Sequence, residues 1–575
     1  MSNGRLSENA VQVAESRYLM DGEDWEACAR RVGRIVAAPE NSHMFQYIDK
    51  FAEMVFNLDF LPGGRILRNA GRQRGSMYNC YVLSIGDSRE EIGQFYKDSL
   101  ILWGEGGGIG VNISSLRPEG ALIKGVGGVS SGPVSFLTAS DAIAETIESG
   151  GSRRAAALAM MHVTHPDIMK FIDAKLVDGK LSHFNISVGV TNEFLEAVEL
   201  DSEWEFKFAQ KSYGKIKARE IWDKIMDNMI EHAEPGLINL NKLFKNNSYF
   251  FEPIQCVNPC GEVPLGPYSC CNLGSLVLPN FITGSVNTNW KKMEEIIDLA
   301  IRFLDNVVDI NKYVLQELDI NAHNSRRIGL GIMGLSEYLF AKKLKYGSEK
   351  SIYEVERLMS FVRDKVYESS VKLAKEKGAF PKFDPVAYGK SSFIRKLPAK
   401  LRMNIKEHGI RNVTLQAVAP TGSISLLADV TSGIEPLFRK AYLRRDRVSD
   451  RMYIHPIYKD ILNKGEKIPE WYVDTDDLKP ADHFEMQAVA QRYTDGAISK
   501  TINMPKGTTS KQLSRLTLEY INDLKGVTVY VDGSREGQIL NKVTRKEAEQ
   551  YLKENKVKES ADTESVMCAT GSCEI

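Results

Sequence analysis

The chain has 575 residues, enough for two or three average domains or one large α/β barrel with appendages. Its 74 basic and 75 acidic side chains nearly cancel, which argues against a nucleic-acid surface or an acidic tail and means that any polyanionic ligand must be held locally. No run approaches the roughly 18 apolar residues of a membrane span, and Met1-Ser2-Asn3-Gly4-Arg5-Leu6-Ser7-Glu8 lacks the apolar core of a secretory signal, so a cytoplasmic protein is expected.

In chain order, residues 1–75 form a mainly helical segment, with apolar positions recurring through Ala10-Val11-Gln12-Val13-Ala14 and Ala27-Cys28-Ala29-Arg30-Arg31-Val32. It closes on a proline–glycine break at Leu61-Pro62-Gly63-Gly64-Arg65. A catalytic domain is assigned to 76–540. Short β-rich runs at 81–85, 110–113, 185–190, 414–419 and 526–531 alternate with amphipathic helices at 134–149, 218–232, 292–312 and 350–376. Such alternation predicts an α/β core with mainly parallel strands. Residues 541–575 read as a flexible tail, charged from 543 to 567 and holding one short helix.

Eight cysteines in a chain of this length are too sparse for a disulfide scaffold. Cys256, Cys260, Cys270 and Cys271 lack a paired C-x2-C knuckle, so no metal site is assigned there. Cys28 and Cys256 read as inert buried thiols. In Asn258-Pro259-Cys260-Gly261-Glu262, Pro259 holds Asn258 extended and Gly261 allows a sharp turn, which presents Cys260 and Glu262 on neighbouring projections of one loop. Cys271 follows Cys260 by eleven residues, with Cys270 beside it, and Cys80 stands far upstream in Asn79-Cys80-Tyr81-Val82-Leu83. Cys568 and Cys573 fall within the last eight residues, a placement suited to a mobile dithiol.

Pro420-Thr421-Gly422-Ser423-Ile424-Ser425 follows a strand and offers backbone N–H groups at a strand-to-helix turn, a setting for an anion. Gly106-Gly107-Gly108-Ile109-Gly110-Val111-Asn112 superficially matches a dinucleotide fingerprint, but Pro118 and Gly120 follow where that motif requires a helix. His162 and His165, beside Pro166, read as ordinary helix-start residues.

Taken together, these motifs resemble the ribonucleotide reductase family over about residues 30–540 plus the tail, and their details are similar to its class II, adenosylcobalamin-dependent form. The resemblance implies a ten-stranded α/β barrel with a catalytic finger loop. It implies that Cys260 becomes a thiyl radical, that Glu262 is the general base and Asn258 a ribose ligand, and that Cys80 and Cys271 are the reducing pair. Asn79 and Thr421, Gly422, Ser423, Ile424 and Ser425 would bind substrate, with Ser432-Gly433-Ile434-Glu435-Pro436 continuing the phosphate region. Asp87, Arg117 and Lys180 would bind a deoxynucleotide effector. Cys568 and Cys573 would carry electrons from thioredoxin or a glutaredoxin-like reductant, in a homodimer that binds neither nucleic acid nor membrane. Val529-Tyr530-Val531-Asp532 lacks the adjacent tyrosines of class I, and no glycyl-radical motif is present. The alternatives are a class I-type subunit fed by a separate metal-containing subunit, or a class II enzyme acting on triphosphates; diphosphates are favoured.

Overall fold

The structure is a computed structural model that describes residues 6–123, 127–149, 153–177, 179–284, 286–445, 450–531 and 540–554. Helices Glu8–Arg17, Trp25–Val36 and Met44–Phe56 open the chain. Ser7 and Asp24 cap the first two by accepting the N–H groups of Ala10 and Ala27. Trp25, Cys28, Ala29, Val32 and Val36 recur at helical spacing and are buried against the rest of the molecule, so Cys28 is a packing residue. Burial pushes its thiol up to about 12.

Nine strands build the core: β1 Cys80–Leu83, β2 Gly108–Asn112, β3 Ala157–His162, β4 Phe184–Val190, β5 Gly236–Asn239, β6 Ser269–Val277, β7 Ile328–Met333, β8 Thr501–Met504 and β9 Gly526–Val531. β1 through β5 are parallel neighbours in that order. β7 runs parallel to β6, and β8 parallel to β9. The extended segment 414–419 closes the gap between β7 and β8 through parallel bridges of Leu330 with Gln416 and Val418 with Ile498. Two five-membered parallel halves therefore meet at antiparallel seams, β1 on β6 and β5 on β9, and close into a ring. Phe60–Pro62 pairs with β6 outside this ring.

The segment 414–419 differs from its predicted form as a regular strand. Leu415 and Gln416 donate their N–H groups to the Asp495 carboxylate at 2.9 and 2.8 Å, so a side chain takes the place of ladder partners. The predicted helices 134–149, 218–232, 292–312 and 350–376 are Pro133–Glu145, Ala218–His232, Trp290–Ile310 and Glu349–Lys377. The first is shorter than expected because Glu148–Ser149 turns back to pair with Arg153–Arg154. The short helix foreseen beyond 543 is Arg545–Glu554; its Ala548, Tyr551 and Leu552 pack on Tyr458, Ile461 and Tyr472, so the folded body reaches past residue 540.

Inside the ring a short hairpin, Cys256–Val257 paired with Pro264–Leu265, carries the loop 258–263. It lies so close to β2 that a Cβ added at Gly110 would stand 1.8 Å from the Val257 carbonyl oxygen. Gly110 is thus the residue that lets the loop enter. Gly110→Ala is expected to displace the hairpin and lower stability by about 1–3 kcal/mol. A denaturant midpoint equal to that of the parent chain would contradict this packing.

Candidate active site

The antiparallel seam of β1 and β6 sets Cys271 directly opposite Cys80, and Cys270 opposite Tyr81. Opposed Cα atoms in such a ladder lie about 4.5–5.5 Å apart, a separation a disulfide spans without backbone movement. Strand alternation then separates the neighbouring thiols. Cys80 and Cys271 share an interior cluster with Leu158, Met160, Val257 and Leu273, whereas Cys270 faces the outer core. The six described cysteines are thiols, with no disulfide among the described residues. Burial raises the pKa of both Cys80 and Cys271 above the ordinary thiol value.

The hairpin loop brings the remaining groups to this pair. The Asn258 side chain donates to Cys80 Sγ at 3.2 Å and accepts from Val263 N–H at 2.8 Å. Gly261, at φ +84°, makes the turn between Asn258 and Glu262, and its N–H bonds back to the Asn258 carbonyl at 2.9 Å. The Glu262 carbonyl accepts from Ala497 N–H at 2.7 Å, which fixes the loop to the far wall. Cys80 Sγ donates to Glu262 Oε1 at 3.8 Å, while Glu262 Oε2 is buried without a hydrogen-bond partner. Burial pushes the Glu262 carboxyl up to about 7. A polar oxygen held in the interior with unused acceptor capacity is prepared to take a proton from a bound hydroxyl. The Asn258 amide thus reaches both the Cys80 sulfur and the loop backbone.

Cys260 is the one described cysteine that is not buried, and it opens onto a cavity lined by Asn185, Ser187, Gly236, Ser499, Lys500 and Thr528 among others. No aromatic side chain lines this cavity among the described residues. Two buried cations border it, and sequence reasoning did not single out either. Lys500 Nζ bonds Glu435 Oε2 at 2.7 Å, and Glu435 Oε1 accepts Thr501 N–H at 2.7 Å, tying the 432–436 turn to β8. Lys525 Nζ donates to the Asp495 carbonyl at 2.5 Å, and burial lowers its pKa to about 7.

Thr421 takes a left-handed φ of +57° and starts the short helix Gly422–Leu427. Its hydroxyl oxygen accepts from Gly433 N–H at 3.1 Å, and the Ser425 and Ser432 hydroxyls are 2.8 Å apart. These bonds join both halves of the sequence-assigned phosphate region. The N-terminal helices complete it: the Tyr18 hydroxyl donates to Ser423 Oγ at 2.5 Å, and a Cβ at Gly64 would lie 3.6 Å from that same oxygen. Ile424 is buried beneath the turn. Asn79 precedes β1, where its carbonyl accepts Gly108 N–H at 2.7 Å.

On the surface beyond β1 and β2, Arg117 Nε and N–H donate to the Asp87 carboxylate at 2.8 and 2.9 Å. Both are partly exposed. Lys180 is exposed in the turn after β3 and its following helix, and its side chain makes no bond to this pair. Cys568 and Cys573 lie outside the described residues. His162 and His165 are engaged locally, with Thr164 and with the Leu116 carbonyl, and the helix begins only at Ile168. Among the described residues no group of three or more His, Cys, Asp or Glu side chains is placed to hold a metal ion, and no helix is long and apolar enough to cross a membrane.

A closed barrel of two antiparallel halves, with a thiol-bearing loop inside it and a dithiol on one seam, defines a thiol-based reductase. Residues 78–530 match the family model described as the ribonucleotide reductase barrel domain, and residues 4–75 match the ribonucleotide reductase all-alpha domain. The chain belongs to the ribonucleotide reductase family. It is 36% identical to a vitamin B12-dependent ribonucleoside-diphosphate reductase of Mycobacterium tuberculosis, in an alignment covering 99% of this chain and 83% of that protein. It is 34% identical to the protein of the same name from Thermoplasma acidophilum, covering 92% and 72%. Against the alpha subunit of a Chlamydia trachomatis ribonucleoside-diphosphate reductase the identity is 26%, covering 75% of this chain and 46% of the relative.

Proposed function

We propose that the chain reduces ribonucleoside diphosphates to 2′-deoxyribonucleotides, with Cys260 as the hydrogen-abstracting thiol, Glu262 as general base and the Cys80–Cys271 dithiol as reductant. The observation that carries this reading is the convergence of Cys80, Cys271, Glu262 and the Cys260 loop inside one closed barrel. The 3′-hydroxyl of a bound ribose gives its proton to Glu262 as the Cys260 sulfur takes the C3′ hydrogen. Loss of the 2′-hydroxyl as water requires two electrons and two protons, which the dithiol supplies on closing to a disulfide. Asn258 holds the Cys80 sulfur in place for that step. Burial of Glu262, Cys80 and Cys271 keeps these groups from water and stray reductants.

Adenosylcobalamin, when bound, supplies the one-electron chemistry that turns the Cys260 thiol into a thiyl. Its fit rests on the cavity: Cys260 opens onto it, and among the described residues no tyrosine lines it to relay a radical from another subunit. The names of the Mycobacterium tuberculosis and Thermoplasma acidophilum relatives support both the cofactor and the diphosphate substrate. The purified chain, assayed anaerobically with adenosylcobalamin and dithiothreitol, should form deoxynucleotides from diphosphates faster than from triphosphates. Turnover that required an added metal-containing subunit would sink this reading in favour of the class I type.

Because Glu262 must be ionised to act as base, kcat/KM should rise with pH and level off above about 7. Glu262→Gln should lose that limb and slow reduction by about 10²-fold or more. A pH profile in the variant identical to that of the parent would reassign the base.

The dithiol must be regenerated, which calls for a reductant such as thioredoxin in a reducing cytoplasm, with Cys568 and Cys573 as shuttle. Asp87 and Arg117 are the candidate effector contacts of a homodimer regulated by deoxynucleotides. Opening their mutual ion pair costs little at a partly exposed site. Asp87→Ala and Arg117→Ala should each weaken equilibrium dTTP binding by about tenfold or more. Parental affinity in both would place the effector elsewhere.

A further inference from the structure

The two sulfurs of the seam stand in opposite electrostatic settings. Cys80 lies against the Glu262 carboxyl at 3.8 Å. Cys271 lies beside a cation: β6 and β7 pair with Asn272 opposite Ile328, so the next residues down the ladder, Cys271 and Arg327, are neighbours on one face. Cys271 Sγ leans along that face, 3.3 Å from where a Cβ on Gly329 would stand.

Arg327 is fully buried and has no carboxylate within ion-pair distance among the described residues. Its Nη1 donates to Thr414 Oγ1 at 2.8 Å and to the Pro264 carbonyl of the loop hairpin at 3.3 Å. The guanidinium covers the Tyr249 ring at 4.0 Å from its centroid, and Nε is buried without a hydrogen-bond partner. Glu252, whose charge also reaches Arg327, bonds the Ser269 hydroxyl instead. A buried cation without a paired anion is costly unless some state of the molecule supplies negative charge next to it. The Arg327 charge lowers the pKa of Cys271, against the dominant upward effect of burial, whereas Glu262 raises that of both thiols.

Building on the reading of Cys80 and Cys271 as the redox pair, we propose that Arg327 is a positioning residue for regeneration of the pair, making Cys271 the leaving thiolate so that the incoming donor attacks Cys80. A donor thiolate forms a bond to Cys80 Sγ as the Cys80–Cys271 bond breaks, and the bonding electron pair stays on Cys271 beside the guanidinium. A second donor thiolate then attacks the donor sulfur of the mixed disulfide and releases Cys80. The donor dithiol is oxidised, the pair is reduced, and two protons from solvent restore the thiols. A better-stabilised leaving thiolate departs faster, which fixes the direction of attack.

The test uses the full chain carrying Cys568→Ser and Cys573→Ser, oxidised by one turnover, with glutathione as a monothiol probe. After a short exposure and an iodoacetamide quench, peptide mapping locates the adduct. Glutathione should sit on Cys80 in preference to Cys271 by about tenfold or more, the scale of one buried charge a few ångströms away. Arg327→Gln should erase the preference and Arg327→Lys should retain part of it. Adducts mainly on Cys271 in the parent, decided without any Arg327 variant, would overturn the role of Arg327, as would an unchanged preference in Arg327→Gln. Absence of a Cys80–Cys271 disulfide after turnover would instead overturn the pairing, and this inference with it.

Discussion

Cys260→Ser is expected to reduce deoxynucleotide formation by at least about 10³-fold while leaving the fold and nucleotide binding intact. Serine fills the same space on the loop, and Cys260 is partly exposed, so the substitution leaves no cavity in the packed interior. What it changes is the strength of the bond to hydrogen, because an O–H bond is too strong to yield the radical. The Glu262 carboxyl, the Cys80–Cys271 seam and the hairpin contact with β2 remain in place in such a variant. Product accumulation measured beside thermal unfolding separates the two effects. Substantial turnover by a well-folded Cys260→Ser would remove Cys260 from the chemistry.

The second large effect sorts the remaining thiols by rescue. Cys80→Ser or Cys271→Ser should stop turnover with any reductant, since the electrons are then missing inside the barrel when the 2′-hydroxyl leaves. Cys568→Ser with Cys573→Ser should allow about one turnover on pre-reduced protein and then stall with thioredoxin as donor. Dithiothreitol should restore much of that activity, because a small dithiol reaches the seam without the shuttle. The comparison depends on which variants are rescued, so differences in individual rates do not confuse it. Continuous thioredoxin-driven turnover by the double tail variant would show that Cys568 and Cys573 are incidental.

The local chemistry of the site was legible in the sequence wherever a single turn or strand carried it. Pro259 and Gly261 foretell the turn that carries Cys260 and Glu262 on one loop, and strand alternation explains why Cys271 faces Cys80 while its neighbour Cys270 does not. The glycine run 106–110 shows why motif matching alone misleads. A Cβ at Gly107 would meet the Tyr81 ring at 2.6 Å, and one at Gly110 the Val257 carbonyl, so these glycines make room for packing. Tertiary placement was not legible. Arg327, Lys500 and Lys525 look like ordinary charged residues in a linear chain, and only barrel closure buries them beside the thiols and the cavity. The bonds of the Asn258 amide to the loop and to the Cys80 sulfur are likewise visible only in three dimensions. The irregular strand 414–419 escapes period-two reading because Asp495, some eighty residues away, satisfies its backbone.

The most direct test of the central claim follows the hydrogen at C3′. Ribonucleoside diphosphate carrying deuterium at that carbon should react more slowly than unlabelled substrate, because the Cys260 sulfur must break that bond. The deoxynucleotide formed should nonetheless keep its deuterium, since the same sulfur returns the atom it took while the nucleotide still fills the cavity. Product whose C3′ deuterium had been wholly replaced by solvent hydrogen, formed with no isotope effect on kcat/KM, would contradict abstraction by Cys260.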